Sequence, residues 1–186
     1  MAFQRWLING RRVPSLVRRV QRGSVTIANG VTTGTATITA VSVENAELVY
    51  VGTENDDASA NVYPDLELGR LTFTNSTTIT ASRAGSTGVM VVNYEVLEYH
   101  PYVVKSIQRG TLALVTNGDT ATITAIDVTK SRLTWLGESL STVATSPNRV
   151  RQGRLTLTNA TTITGNRNAA GATGTINIDW QVVEFF

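Results

Sequence analysis

The chain states its contents twice. Val20-Gln21-Arg22-Gly23 returns as Ile107-Gln108-Arg109-Gly110, Thr35–Ala40 returns unchanged at Thr120–Ala125, and Leu48–Gly52 matches Leu133–Gly137. Gly69–Thr80 matches Gly153–Thr164 at ten of twelve positions, and Met90–Tyr99 parallels Ile176–Phe185. The offsets are 87, 85, 85, 84 and 86, so changes in length fall between the matched blocks. Duplicated strands joined by variable loops produce that pattern. Whatever one copy folds into, the other must repeat. The division that follows is an arm at residues 1–19, a first module at 20–99, a linker at 100–106 and a second module at 107–186.

Within each copy apolar residues alternate with polar ones. Val25 and Ile27 flank Thr26, Leu71 and Phe73 flank Thr72, and Ile176, Ile178, Trp180 and Val182 share one face opposite Asn177, Asp179 and Gln181. A period of two is the strand period. Composition agrees, since 29 Thr and 22 Val stand against only two Lys, and β-branched residues favour strands. Turn chemistry separates the runs at Asn29-Gly30, Asn117-Gly118, 84–88 and 168–171. The expectation is an all-β chain of two tandem antiparallel β-sandwich domains, each of about six strands, preceded by a basic N-terminal arm. Tyr50, Tyr94, Trp135 and Trp180 lie inside strand patterns and are expected in the core. The longest irregular stretches, Gly52–Leu66 and Gly137–Val150, hold the same place in both copies.

Several chemistries find no footing. Without cysteine there is no disulfide framework, thiolate metal site or thiol nucleophile. A single histidine, His100, rules out a His-His metal cluster and makes a hydrolase triad hard to assemble; preceding Pro101 in the linker, it reads as a structural or rim residue. No strand-turn-helix nucleophile elbow occurs. Glu54, Asp56, Asp57 and Asp65 invite a calcium reading, but their spacing is not that of the twelve-residue calcium loop, and the second copy keeps only Glu138. A solvated acidic loop is the better reading. Nothing places two carboxylates across a cleft for glycoside hydrolysis. No apolar run approaches the roughly 18–20 residues of a bilayer span, and Gly10, Arg11 and Arg12 interrupt the start before a secretory core forms. The chain reads as soluble and non-enzymatic, with no catalytic residue, cofactor or metal.

Charge is unevenly spread. Residues 1–22 carry Arg5, Arg11, Arg12, Arg18, Arg19 and Arg22 and no acid, while everything after them holds the remaining ten basic side chains and all 14 acidic ones. Phe3, Trp6, Leu7 and Leu16 interleave with these arginines, and Gly10 and Pro14 prevent one long helix. Large apolar groups mixed with charge suit an extended arm laid on another protein's acidic, partly apolar surface. Phe3, Arg5, Trp6, Leu7, Arg11, Arg12, Leu16, Arg18 and Arg19 are its candidate anchors. Nucleic acid fits this mixture less well, and a membrane-surface helix less well still. Four charged positions recur: Arg22 and Arg109, Arg70 and Arg154, Arg83 and Arg167, Glu98 and Glu184. First and last strands lying side by side would pair Arg22 with Glu98 and Arg109 with Glu184 at the module edge. The sharper alternative is arginine gripping sugar hydroxyls or carboxylates.

The blocks Gln-Arg-Gly, Thr-Ala-Thr-Ile-Thr-Ala at 120–125, Arg-Leu-Thr-Leu-Thr-Asn-Ala-Thr-Thr-Ile-Thr at 154–164 and Asp-Trp-Gln-Val-Val-Glu-Phe at 179–185 resemble a module of tailed-bacteriophage virion proteins. Both copies match, so the resemblance covers about residues 20–186. Strand order and closing block are also similar to the six-stranded sandwich of H-type lectins, which assemble as trimers. The first resemblance implies a virion structural protein, decorating the capsid or joining a tail or fibre, that meets capsid, portal or tail proteins through its arm. The second implies a homotrimer, with host surface glycan as a possible ligand.

Overall fold

In the computed structural model the described residues are 7–8, 11–12, 15–56, 68–140, 152–167 and 174–186. Among them the chain is all-β, with antiparallel sheets and two single 3-10 turns at Val43–Asn45 and Val128–Lys130. Leu7–Ile8 (β1) and Arg11–Arg12 (β2) pair with each other. The first copy supplies β3 (Val17–Ile27), β4 (Thr33–Thr37), β5 (Ala46–Asn55), β6 (Gly69–Asn75), β7 (Thr78–Arg83) and β8 (Met90–Tyr99). The second supplies β9 (Val104–Leu114), β10 (Thr120–Thr122), β11 (Ser131–Leu140), β12 (Gly153–Asn159), β13 (Thr162–Arg167) and β14 (Ile176–Phe185).

The repeated blocks take identical pairings. β8 lies between β3 and β5, as β14 lies between β9 and β11; β7 lies between β4 and β6, as β13 lies between β10 and β12. Val25, Ile27, Leu48, Met90, Val92 and Val96 from one trio share a buried core with Leu71, Ile79 and Ala81 from the other, the arrangement of a sandwich. The second copy builds its own with Leu112, Ile163, Trp180 and Val182. Among the described residues one pairing crosses between copies. Gly137 of β11 pairs with Arg70 of β6, which joins β4-β7-β6 to β11-β14-β9 as one six-stranded sheet.

Some boundaries differ from the sequence expectation. β3 begins at Val17, inside the stretch read as arm, because Val17 finds a partner in Tyr99. β5 runs to Asn55 and β11 to Leu140, past the starts of the two stretches read as irregular. The ten-residue strands β8 and β14 are long enough to pair with them, Met90 with Asn55 and Ile176 with Leu140. β9 begins at Val104 within the linker, where the His100 ring stacks on Tyr102 at 5.3 Å.

Candidate functional site at the junction of the copies

β11 carries a bulge between Trp135 and Glu138. A bulge turns a side chain away from its regular course, and here it drives Leu136 out of its own copy. Leu136 is 2% exposed and packs in the first copy's core. Full burial of such a side chain contributes about 2 kcal/mol. Next to it Gly137 has φ +100°, and a Cβ there would stand 2.1 Å from the carbonyl oxygen of Gly69 and 2.6 Å from Arg70 Cα. Only glycine lets the β6 backbone approach so closely.

Polar groups lock the same contact. Arg70 Nη1 lies 3.0 Å from Asp179 Oδ1 of β14, which also accepts from Thr111 Oγ1 at 2.5 Å. Burial pushes the Asp179 carboxyl up despite these two partners. The Gln181 amide closes a pair of bonds on the free backbone edge of β5, accepting from Leu48 N at 3.2 Å and donating to Leu48 O at 3.0 Å. Arg109 donates from Nε to Gln181 Oε1 at 3.1 Å, from Nη2 to the carbonyls of Val43 and Ala46, and lies 5.1 Å from the Phe73 ring centroid. Burial pulls its guanidinium down to about 10, with Glu47 opposing the shift. The fully buried Glu47 of β5 accepts from Arg132 and Thr134 of β11, and from Tyr99 Oη at 2.8 Å. Tyr50 meets Trp135 edge to face, with centroids 4.8 Å apart.

The expected edge pairs take another register. β3 and β8 do lie side by side, but Arg22 stands opposite Glu95 and binds it at 2.5 Å. Glu98 instead meets Arg19 at 2.7 Å and Arg18 at 3.3 Å, and accepts from Ser42 N. A register shift between Val17 and Arg19 sets this phase, which charge spacing alone does not reveal. In the second copy Arg109 turns to the junction, and Glu184 takes Lys105 Nζ at 2.8 Å, Ser106 Oγ and Asp127 N. Glu98 and Glu184 are each 2% exposed. Burial alone would raise both carboxyls; the donors and cations around them outweigh it and hold both below the usual range.

The other recurring arginines divide their work. Arg83 Nη2 gathers carbonyls from both neighbouring loops, including Ala28 at 3.0 Å and Gly88 at 2.8 Å, and Arg167 Nη1 does likewise with Leu114 and Gly174. Tyr94 and Trp180 are core as expected. Trp135 is not: it stays 37% exposed, because beyond its contact with Tyr50 it lines an open hollow. Arg18 and Arg19, read as arm anchors, are β3 residues bound to Glu98, and Leu16 is exposed. Leu7, Arg11 and Arg12 are placed as backbone of β1 and β2. Phe3, Arg5 and Trp6 lie outside the described residues, as do Asp57 and Asp65. Sequence reasoning missed Leu136, Glu47 and Gln181; their one signal was departure from the matching positions Val51, Arg132 and Glu95. The chain matches no protein-family model, no curated protein and no solved structure.

Proposed function

We propose that the chain is a non-enzymatic structural protein of a bacteriophage particle, two tandem β-sandwich modules that decorate a capsid or join a tail or fibre, with the basic N-terminal arm holding it there. The observation that supports this most is the junction. Buried charge and close backbone contact are spent on fixing one copy against the other, which is a requirement of a rigid building block. Such networks contribute geometry more than net stability. The virion setting follows from the resemblance of the repeated blocks to phage modules, and the mixed basic and apolar arm supplies the attachment.

The test is attachment by the full chain and by a chain starting at Ser15, which keeps β3 and the Glu98 pairs intact. The full chain is expected to co-sediment with particles assembled without it, and the shortened one to fold and remain in the supernatant. Equal binding by both, or by neither, overturns the reading. Glycan binding that survives the truncation, without particle binding, would replace it with a receptor module.

A further inference from the structure

Glu47 with Arg132 and Tyr50 with Trp135 are counterparts that meet at the junction itself; its other parts have counterparts on the two outward sides of the molecule, where they do not meet. Val51 matches Leu136 at the same bulge position, yet it is 59% exposed. Gly52 matches Gly137, and a Cβ built on it meets nothing within 4 Å. In the first copy Leu48 and Leu71, the floor beneath Leu136, are fully buried. Their counterparts Leu133 and Leu155 are only partly covered, and with Trp135, Gly153 and Arg154 they line an open hollow of about 300 Å³. The outer face of β14 is buried by the first copy, whereas on β8 Asn93 is exposed and Glu95 is 33% exposed.

The junction also has a direction. A twofold contact would require Arg154 to meet Asn93 because Arg70 meets Asp179, and Arg22 to meet the second copy because Arg109 meets the first. Arg22 binds Glu95 of its own copy as Arg109 binds Gln181, but it stays 68% exposed where Arg109 lies on the other copy. The open edge of one copy sits on the sheet face of the next, a head-to-tail contact that leaves one edge and one face over.

We propose that the leftover edge of one chain docks on the leftover face of a second copy of this chain, repeating the internal junction. Val51 enters the hollow floored by Leu133 and Leu155, Gly52 lies against the backbone at Gly153 and Arg154, and Arg154 reaches Asn93. The Arg22–Glu95 pair stands where Arg109 and Gln181 stand inside the chain, offering donors for carbonyls and an acceptor for the Leu133 N–H. Glu47 and Arg132 occupy matching positions and already touch within the chain, Glu47 fully buried and Arg132 half-exposed beside the seam. Tyr50 and Trp135 match in the same way, so the open face of Trp135 meets a Tyr50. Tyrosine then alternates with tryptophan around the assembly.

Sedimentation of the purified chain tests this without any particle, so the outcome is independent of the virion reading. One chain weighs 20.0 kDa, and the expected mass is a multiple of that value. Val51→Arg, a change at an exposed position, should return the protein to a folded monomer. Arg154→Asp should weaken assembly at least tenfold, and adding Asn93→Arg to it should restore most of the loss. A wild-type chain that sediments as a monomer at every concentration overturns the proposal. So does an assembly that Val51→Arg leaves unchanged.

Discussion

The bulges of β5 and β11 occupy the same place in the two copies and lead opposite lives. At one, Val51 stands in solvent and Gly52 faces open space; at the other, Leu136 is buried in a neighbouring core and Gly137 touches neighbouring backbone. The local blocks, Leu-Val-Tyr-Val-Gly and Leu-Thr-Trp-Leu-Gly, share their leucine and glycine and keep an aromatic and an aliphatic residue before the glycine. Burial at these positions is therefore a property of what lies opposite rather than of the strand itself. A surface valine in one copy is a core leucine in the other.

The sharpest way to break the comparison is to shorten both side chains. Leu136→Ala should lower the unfolding free energy by about 2–5 kcal/mol through lost burial and a cavity in the first copy. Val51→Ala should stay within about 0.5 kcal/mol when the chain is dilute enough to be monomeric. Urea unfolding of the two variants measures the difference, and equal effects would mean that the bulges are not distinct.

The next contrast is one of pH. Glu138 matches Thr53, and burial raises its carboxyl to about 7, against the pull of Gly153 N–H and the Arg167 charge. Its unfolded value lies near 4.5, so the folded state holds the proton more tightly. The stabilisation this gives is complete below pH 4.5 and is lost as pH rises through 7. At about 1.4 kcal/mol per unit, the loss approaches roughly 3 kcal/mol. Glu138→Gln should abolish it, leaving a variant more stable than wild type at pH 8 and equal to it at pH 4. Thermal melts across this range decide the matter. A smaller asymmetry is expected for the matched arginines. Arg70→Ala strips Asp179 of its cation and should cost about 1–3 kcal/mol, whereas Arg154→Ala in dilute solution should cost under about 0.5 kcal/mol. At concentrations where chains assemble, the second figure should climb toward the first.

The strand system was legible in the chain because it rests on local order. Alternation at 176–182, the Asn-Gly turns and the matched block lengths locate most strands without knowledge of their neighbours. The junction was much less so. Arg22 and Glu98 were sensible partners by charge, yet the strand register sets Arg22 opposite Glu95 and Arg19 opposite Glu98. Arg83 and Arg167 recur visibly, but nothing local says that the carbonyls of distant loops converge on them. The edge that Leu136 fills exists only once two copies are set against each other. Matching positions that differ were the available clue: Glu47 against Arg132, Val51 against Leu136, Glu95 against Gln181.

That first mismatch carries a consequence for ancestry. A residue that meets its own counterpart must, in a protein made of one module, be its own neighbour. Two glutamates or two arginines placed at such a point repel. Writing the module twice in one gene lifts the restriction, because the two positions mutate separately. Opposite charge at Glu47 and Arg132, and unlike rings at Tyr50 and Trp135, are pairings that only a duplicated gene can encode on a seam of this kind.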